Sequence, residues 1–286
     1  MSSLGLGLGV NRFFGRGQAF IPPPEEFIIE VNTELAGTTN SDQFQFTGAV
    51  GEYDVEAYQN NSLVATFNDL VNQQTITLPS AGIYELRCII KPAGFDKMTF
   101  SNGGDRLKLL KILNWGLYGV NEPDQSEAFW GCNLTQIPNG GAWFDVVTNG
   151  LRMFRDNNLQ SLPAGMTLDN LINGFQMFLL NNLTSLPAGM KLPILSDGGN
   201  MFDRNSLTSL PVGMKLSNLS NGLRMFAVNT INTERYSQLL IDLEANNNNN
   251  NVSFHGGNSK YNAQGEIARN ALVARGWTIT DGGLEN

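Results

Sequence analysis

The chain has 286 residues, room for two domains, with a formal net charge of −8 and only 15% charged residues. That acidic balance argues against a broad nucleic-acid surface. The chain also lacks the run of about 18 apolar residues that a membrane-spanning helix needs.

Residues 1–24 open as "MSSLGLGLGVNRFFGRGQAFIPPP". Gly5, Gly7, Gly9, Gly15 and Gly17 oppose a helix. The basic stretch, apolar core and cleavage site of a secretory signal are missing. Leu4, Leu6, Leu8 and Val10 alternate with Ser or Gly, giving an extended strip with apolar side chains on one face and almost none on the other. Such a strip cannot fold alone. It is expected to be an anchoring arm that adds to another subunit's sheet or lies in its groove. Leu4, Leu6, Leu8, Arg12, Phe13 and Phe14 are its partner-binding candidates, and Pro22-Pro23-Pro24 is a stiff spacer. A disordered leader is the alternative.

Residues 25–103 read as all-β. Seven strand-length runs, at 27–32, 42–48, 53–58, 63–67, 74–79, 83–90 and 97–100, are separated by Gly, Asn and Pro. Tyr84, Leu86, Cys88 and Ile90 alternate with their neighbours at the period of a half-buried strand. The expectation is a small Ig-like β-sandwich.

From 125 to 244, after a lead-in from 104, the chain repeats itself with a period of 24 residues. Met-Phe recurs at 153–154, 177–178, 201–202 and 225–226, and Leu-Pro at 162–163, 186–187 and 210–211. Residues 125–148 and 221–244 are degenerate outer copies. A fixed period of this size marks stacked repeats that share one core. "LTSLP" is expected to form a short strand and residues 168–178 a helical return, which makes a leucine-rich-repeat-like solenoid. Asn157, Asn181, Asn205 and Asn229 share one column and are assigned to a structural ladder that satisfies backbone groups. Thr135, Gln160, Thr184 and Thr208, with Gln136, Ser161, Ser185 and Ser209 beside them, fall between the Leu columns. They form two polar ladders, the candidate ligand face; plain solvated surface is the alternative.

After residue 232, Tyr236, Leu239, Leu240 and Leu243 trace a helical face with Thr233 as N-cap. The run Asn246 to Asn251 reads as a solvated loop. Residues 252–254 and 277–280 flank a second helix at 262–275, closed by Gly276. This strand–helix–strand segment, residues 245–286, is expected to cap the last coil. The fold class is therefore mixed β with short helices: arm 1–24, sandwich 25–103, solenoid 104–244 and cap 245–286.

Catalytic chemistry has little to stand on. His255 is the only histidine, and with Cys88 and Cys132 far apart in the chain it cannot make an ordinary zinc site. The two cysteines read as buried thiols, with a disulfide as the alternative. No Ser-His-Asp set has a supporting motif. Asp169, Asp197 and Asp203 occupy different columns, so the repeats present no carboxylate pair for glycan hydrolysis. The protein is expected to be non-enzymatic, without cofactor or metal; a carbohydrate-active enzyme is the remote alternative.

"EAFWGCNLTQIP" (127–138) and the "MF…LTSLP.GM" units resemble the BspA-type leucine-rich repeat, and the tail from 252 onward resembles the usual ending of such arrays. "PSAGIYELRC" (79–88) resembles a strand of PKD-like immunoglobulin domains, although the Trp-Gly-Asp-Gly turn of that family is replaced by "EAYQNNS". The Leu-Gly-rich start resembles those of some phage virion proteins. These resemblances imply a contact surface rather than an activity. They point to a structural protein of a phage particle, a head or tail fibre or decoration subunit, multimeric in the assembly. Its partners would be other virion proteins through the arm and a host-surface glycan or protein through the repeats, with no nucleic acid and no membrane insertion. A bacterial surface adhesion module is the alternative.

Overall fold

The computed structural model describes residues 25–140 and 143–285. The arm residues Leu4, Leu6, Leu8, Arg12, Phe13 and Phe14 lie outside them.

Seven strands occupy the first part of the described chain: β1 (Phe27–Asn32), β2 (Gln43–Gln45), β3 (Val50–Gln59), β4 (Ser62–Val71), β5 (Thr75–Thr77), β6 (Ile83–Lys97) and β7 (Leu109–Asn114). Five form one antiparallel sheet in the order β4-β3-β6-β1-β7, and β2 pairs only with β5. Alternation builds the buried side, with Tyr84, Leu86 and Cys88 of β6 beside Val31, Ile29 and Phe27 of β1. Gly51 and Gly94 permit the bulge between β3 and β6: a Cβ on Gly51 would lie 2.3 Å from the Gly94 carbonyl oxygen.

One polar pair organises the loops beside this sheet. Asp105 is fully buried and accepts from the backbone N–H of Thr38 (2.8 Å), Thr39 (3.1 Å) and Gln45 (2.8 Å). Lys108 follows on a single 3-10 turn, Arg106–Lys108, with its Nζ 3.7 Å from Asp105 Oδ2. That Nζ donates to the carbonyls of Thr39 (3.2 Å), Asn40 (2.8 Å) and Gln43 (2.9 Å). Both charges are thus hydrogen-bonded, the condition under which burial is tolerable.

An aromatic block ties the sheet to the repeats. Phe27 stacks on Tyr118 at 4.6 Å, Trp115 on Trp143 at 4.2 Å, and Trp115 meets Phe129 edge-on at 5.7 Å. Trp143 starts the short helix α1 (Trp143–Val146). Beyond it, successive copies touch through isolated parallel bridges: Asp124 with Asn149, Asn149 with Asn173, Asn173 with Asp197, and Asp197 with Asn221. The rings of Phe129, Phe154, Phe178, Phe202 and Phe226 stack 5.6–5.7 Å apart, within 10° of parallel. Met153, Met177, Met201 and Met225 are buried beside them.

The strand β8 (Asn221–Gly222) continues into a parallel three-stranded sheet with β9 (Ser253–His255) and β10 (Thr278–Thr280). Helix α2 (Thr233–Asn246) packs on α3 (Ala263–Ala274). The N-cap of α2 is Asn232, whose side chain accepts from Arg235 N at 3.0 Å, and not Thr233.

Two expectations about the fold are corrected. The Ig-like β-sandwich does not form: the run at 83–90 continues as the single long strand β6 to Lys97, the rest of the run at 97–100 forms no strand, and β2 and β5, three residues each, make only a two-stranded ladder. The second layer is therefore too small to be a sheet of the expected kind. The leucine-rich-repeat-like solenoid, a strand at "LTSLP" and a helix at 168–178, is overturned as well: both stretches are turns and irregular chain. Leu168 and Gln176 have φ of 58° each, a left-handed conformation that no α-helix accommodates. The Leu spacing within "LTSLP" lacks strand parity, and its Pro has no N–H to donate. The described residues form a mixed-β architecture with three short helices. The Asn run is also not simply solvated: Asn247 is buried and its amide donates to the carbonyls of Leu216 (2.8 Å) and Leu219 (3.0 Å).

Candidate functional site

The repeats place their "LTSLP" stretches side by side. Leu134, Leu159, Leu183 and Leu207 point inward and are fully buried, as nearly are Leu162, Leu186 and Leu210. The residues between them face out. Thr135, Gln136, Gln160, Ser161, Thr184, Ser185 and Thr208 are exposed, and Ser209 is half-buried. Main-chain bonds hold this face together, from Thr184 N to Gln160 O (3.4 Å), Thr208 N to Thr184 O (3.3 Å) and Asn232 N to Thr208 O (2.9 Å). The result is one strip of hydroxyl and amide groups on a stacked backbone.

The Asn column lies one step behind. Asn181 Oδ1 accepts from Leu159 N at 3.1 Å, while its Nδ2 donates to Phe154 O (2.9 Å) and Phe178 O (3.2 Å). Asn157, Asn205 and Asn229 repeat the pattern on Leu134, Leu183 and Leu207. Each amide closes three backbone groups that would otherwise be buried without partners. The column keeps the exposed strip in register.

A shallow depression lies near each end of the strip. At the sheet-proximal end it measures about 320 Å³, with Ile112 and Leu113 of β7 on one side, Ile137, Pro138, Leu162 and Pro163 on the other, and Gln136 and Ser161 at the rim. At the far end a depression of about 320 Å³ lies between Thr208, Asn232 and the residues Asn258, Lys260 and Glu285.

A second feature was missed from the sequence. Arg152 and Arg155 both lie against Trp130, their guanidinium carbons 5.2 and 4.8 Å from its ring centroid. Arg152 pairs with Glu127 at 2.9 Å and donates through Nε to Gln176 Oε1 at 3.0 Å; Arg155 donates to the same oxygen. Burial, and then the neighbouring Arg152, lower the Arg155 pKa. Arg152 and Gln176 share a 24-residue column, the one usable signal, whereas Glu127 lies 25 residues before Arg152 and falls outside that spacing.

The remaining chemistry-bearing groups are dispersed. Cys88 and Cys132 are free thiols in the core, and burial pushes both pKa values up, away from the reactive thiolate. His255 ends β9 and accepts at Nδ1 from Gly257 N (3.0 Å); burial, then Arg224, lower its pKa. Asp203 is buried and held by Arg224 at 2.9 Å. Asp169 and Asp197 lie on other columns, and Asp197 is engaged with Gly199 N and Asn221 Nδ2, at 2.9 Å each. Among the described residues no group of three or more His, Cys, Asp or Glu side chains is placed to hold a metal ion, and no helix is long and apolar enough to cross a membrane. Comparison of the chain with family models, curated proteins and solved structures gives no match.

Proposed function

We propose that the protein is a non-enzymatic structural subunit of a phage particle, a fibre or decoration component held by the arm of residues 1–24. Its repeat face turns outward and meets a host-surface glycan or protein. The observation that carries the display role is the exposed strip from Thr135 to Thr208, small polar groups on a backbone cross-linked by its own hydrogen bonds. A preorganised strip of this kind loses little freedom on binding. Its hydroxyls and amides match the donors and acceptors of a glycan or an extended peptide. The assignment to a particle rests on the Leu-Gly-rich start and on the resemblance of the repeats.

Two measurements test the two halves of this reading. Thr184→Lys with Thr208→Lys should lower adsorption of particles to host cells while leaving the melting curve of the protein in place. Residues 24–286 expressed in place of the full chain should be incorporated poorly into purified particles. Unchanged adsorption would remove the ligand face, and normal incorporation would remove the arm as anchor.

A further inference from the structure

The depression at the sheet-proximal end of the strip has a wall that none of the other described depressions has. One side is β7, the outer strand of the five-stranded sheet, with β1 on its inner flank. An outer strand presents backbone N–H and C=O groups along its free flank, a template for one more strand. Ile112 and Leu113 stand on this side, and across from them lie Ile137, Pro138, Leu162 and Pro163, supplied by two successive repeats. No side chain lining the slot is charged. Lys111, the one charge on β7, is drawn away to Glu30 at 2.7 Å. Ile112, Ile137 and Leu162 are nearly fully buried, so the depression offers Leu113, Pro138 and Pro163 with the rim of Gln136 and Ser161, a surface suited to an uncharged, extended occupant that can pair with an edge strand.

The chain itself contains such a segment. Residues 4–10, "LGLGLGV", carry no charge, and their apolar side chains alternate with glycine. In an extended conformation Leu4, Leu6, Leu8 and Val10 would fall on one face and only hydrogens on the other. One face can then lie on the leucine and prolines of the shallow depression while the bare face allows close approach. The root of this segment is beside the slot. Glu25 O accepts from Leu117 N at 3.2 Å, and Asn114, the last residue of β7, donates from Nδ2 to Glu26 O at 2.7 Å. Pro22-Pro23-Pro24 comes immediately before that root. A proline run is stiff and extended, which disfavours an immediate return to the same molecule's slot and favours delivery to a neighbour.

We infer that the slot between β7 and the first repeats is the docking site for residues 4–10 of a second copy of this chain. The inference rests on the arm being an assembly element and names the place where it lands. It also divides the polar strip. The end at Gln136 and Ser161 borders the docked arm, and the end at Thr184 and Thr208 stays free for an outside ligand.

The test is disulfide trapping between full-length chains carrying different tags. Leu6→Cys in one chain is mixed with Gln136→Cys in the other; Gln136 is exposed, so its replacement leaves the core alone, and the native thiols are buried. A cross-link between the two tags, at least tenfold above that of Leu6→Cys with Val212→Cys, is the expected result. Val212 is 71% exposed and remote from the slot in the chain, which makes it the measure of random collision. Adding Ser161→Trp to the Gln136→Cys chain, to fill the slot from its exposed rim, should abolish the excess. Trapping at the control level, or an excess that Ser161→Trp leaves intact, overturns the site. A chain carrying Leu6→Cys and Gln136→Cys together that closes only on itself at every concentration overturns the second-copy occupant. If residues 24–286 fail to enter particles while trapping stays at the control level, the anchoring role stands and this docking site alone is wrong.

Discussion

In the sheet region, Asp105 reaches back 66 and 67 residues to the amides of Thr39 and Thr38, and Lys108 reaches back 69 to Thr39. In the repeat region, Asn181 reaches 22 residues to Leu159 and 27 to Phe154, and Asn205 makes the same two bonds one copy later. Both devices satisfy buried backbone with a polar side chain. One is unique and ionic, and the other is neutral and spread over four copies. The unique hub concentrates dependence on two residues. The distributed ladder lets any one copy be removed, provided the rest stay in step.

The largest effects should come from breaking that step. Deleting residues 173–196 removes one copy and leaves Phe154 to stack on Phe202 as it now stacks on Phe178, so a folded, shorter protein is expected. Deleting residues 173–184 should abolish folding, because a shift of half a copy throws the Met-Phe and Leu-Pro columns out of register with those of the neighbouring copies. Circular dichroism melts distinguish the two; equal damage would mean that the copies do not pack as interchangeable units.

Single substitutions sharpen the contrast at a smaller scale. Asp105→Ala leaves Lys108 buried without its counter-charge and frees three backbone amides, at a cost of about 3–5 kcal/mol. Leu186→Ala, a core truncation 8% exposed at present, should cost about 2–5 kcal/mol. Asn181→Ala should cost less than Asp105→Ala, about 1–3 kcal/mol, since the groups it orphans are neutral. Urea unfolding of the three variants gives the ranking, and an Asn181 loss above that of Asp105 would reverse the comparison. Thr184→Lys with Thr208→Lys comes near the bottom, within about 0.5 kcal/mol, because both side chains are exposed.

The same contrast decides what could be read from the sequence. The 24-residue register was legible because copies of Met-Phe, Leu-Pro and Asn recur in columns, and the columns meet in the structure as bridges and stacked rings. The conformation of each copy was not legible. Arg152, Gln176, Asn200 and Arg224 share φ values of 54–58°, in which non-glycine residues are uncommon, and this hidden turn replaces the expected helix. In the sheet, β1 was legible from local pattern, but the pairing of β6 with β1 and β3 is set by contacts distant in the chain. Asp105 and Lys108 carry no local sign of their partners. Of the candidate site, the exposed strip followed from residue columns, whereas the Arg152–Arg155–Trp130 cluster needed side-chain directions that spacing alone does not supply. Asn247 was hidden inside a run of like residues, only some of which are exposed.

The smallest predicted effect lies where the repeats meet β9. His255 is faced by Arg224 and Asp203 from the last copies and by Asp281 from the far side of β10. Burial, and then Arg224, hold its pKa below the ordinary histidine value of about 6.5, and the two carboxylates only partly oppose this. The folded state therefore binds fewer protons than the unfolded state between its own lowered pKa and about 6.5. Stability is full above that window, falls as the pH drops through it, and is level below it as far as this group is concerned. As the only histidine, His255 is the one side chain with an ordinary pKa in the interval from about pH 8 to 5. Thermal melts across that interval should show a modest loss in the native protein and a flatter profile in His255→Gln. A profile of unchanged slope in the variant would place the pH sensitivity elsewhere, with the carboxylates of the sheet face as the next groups to test.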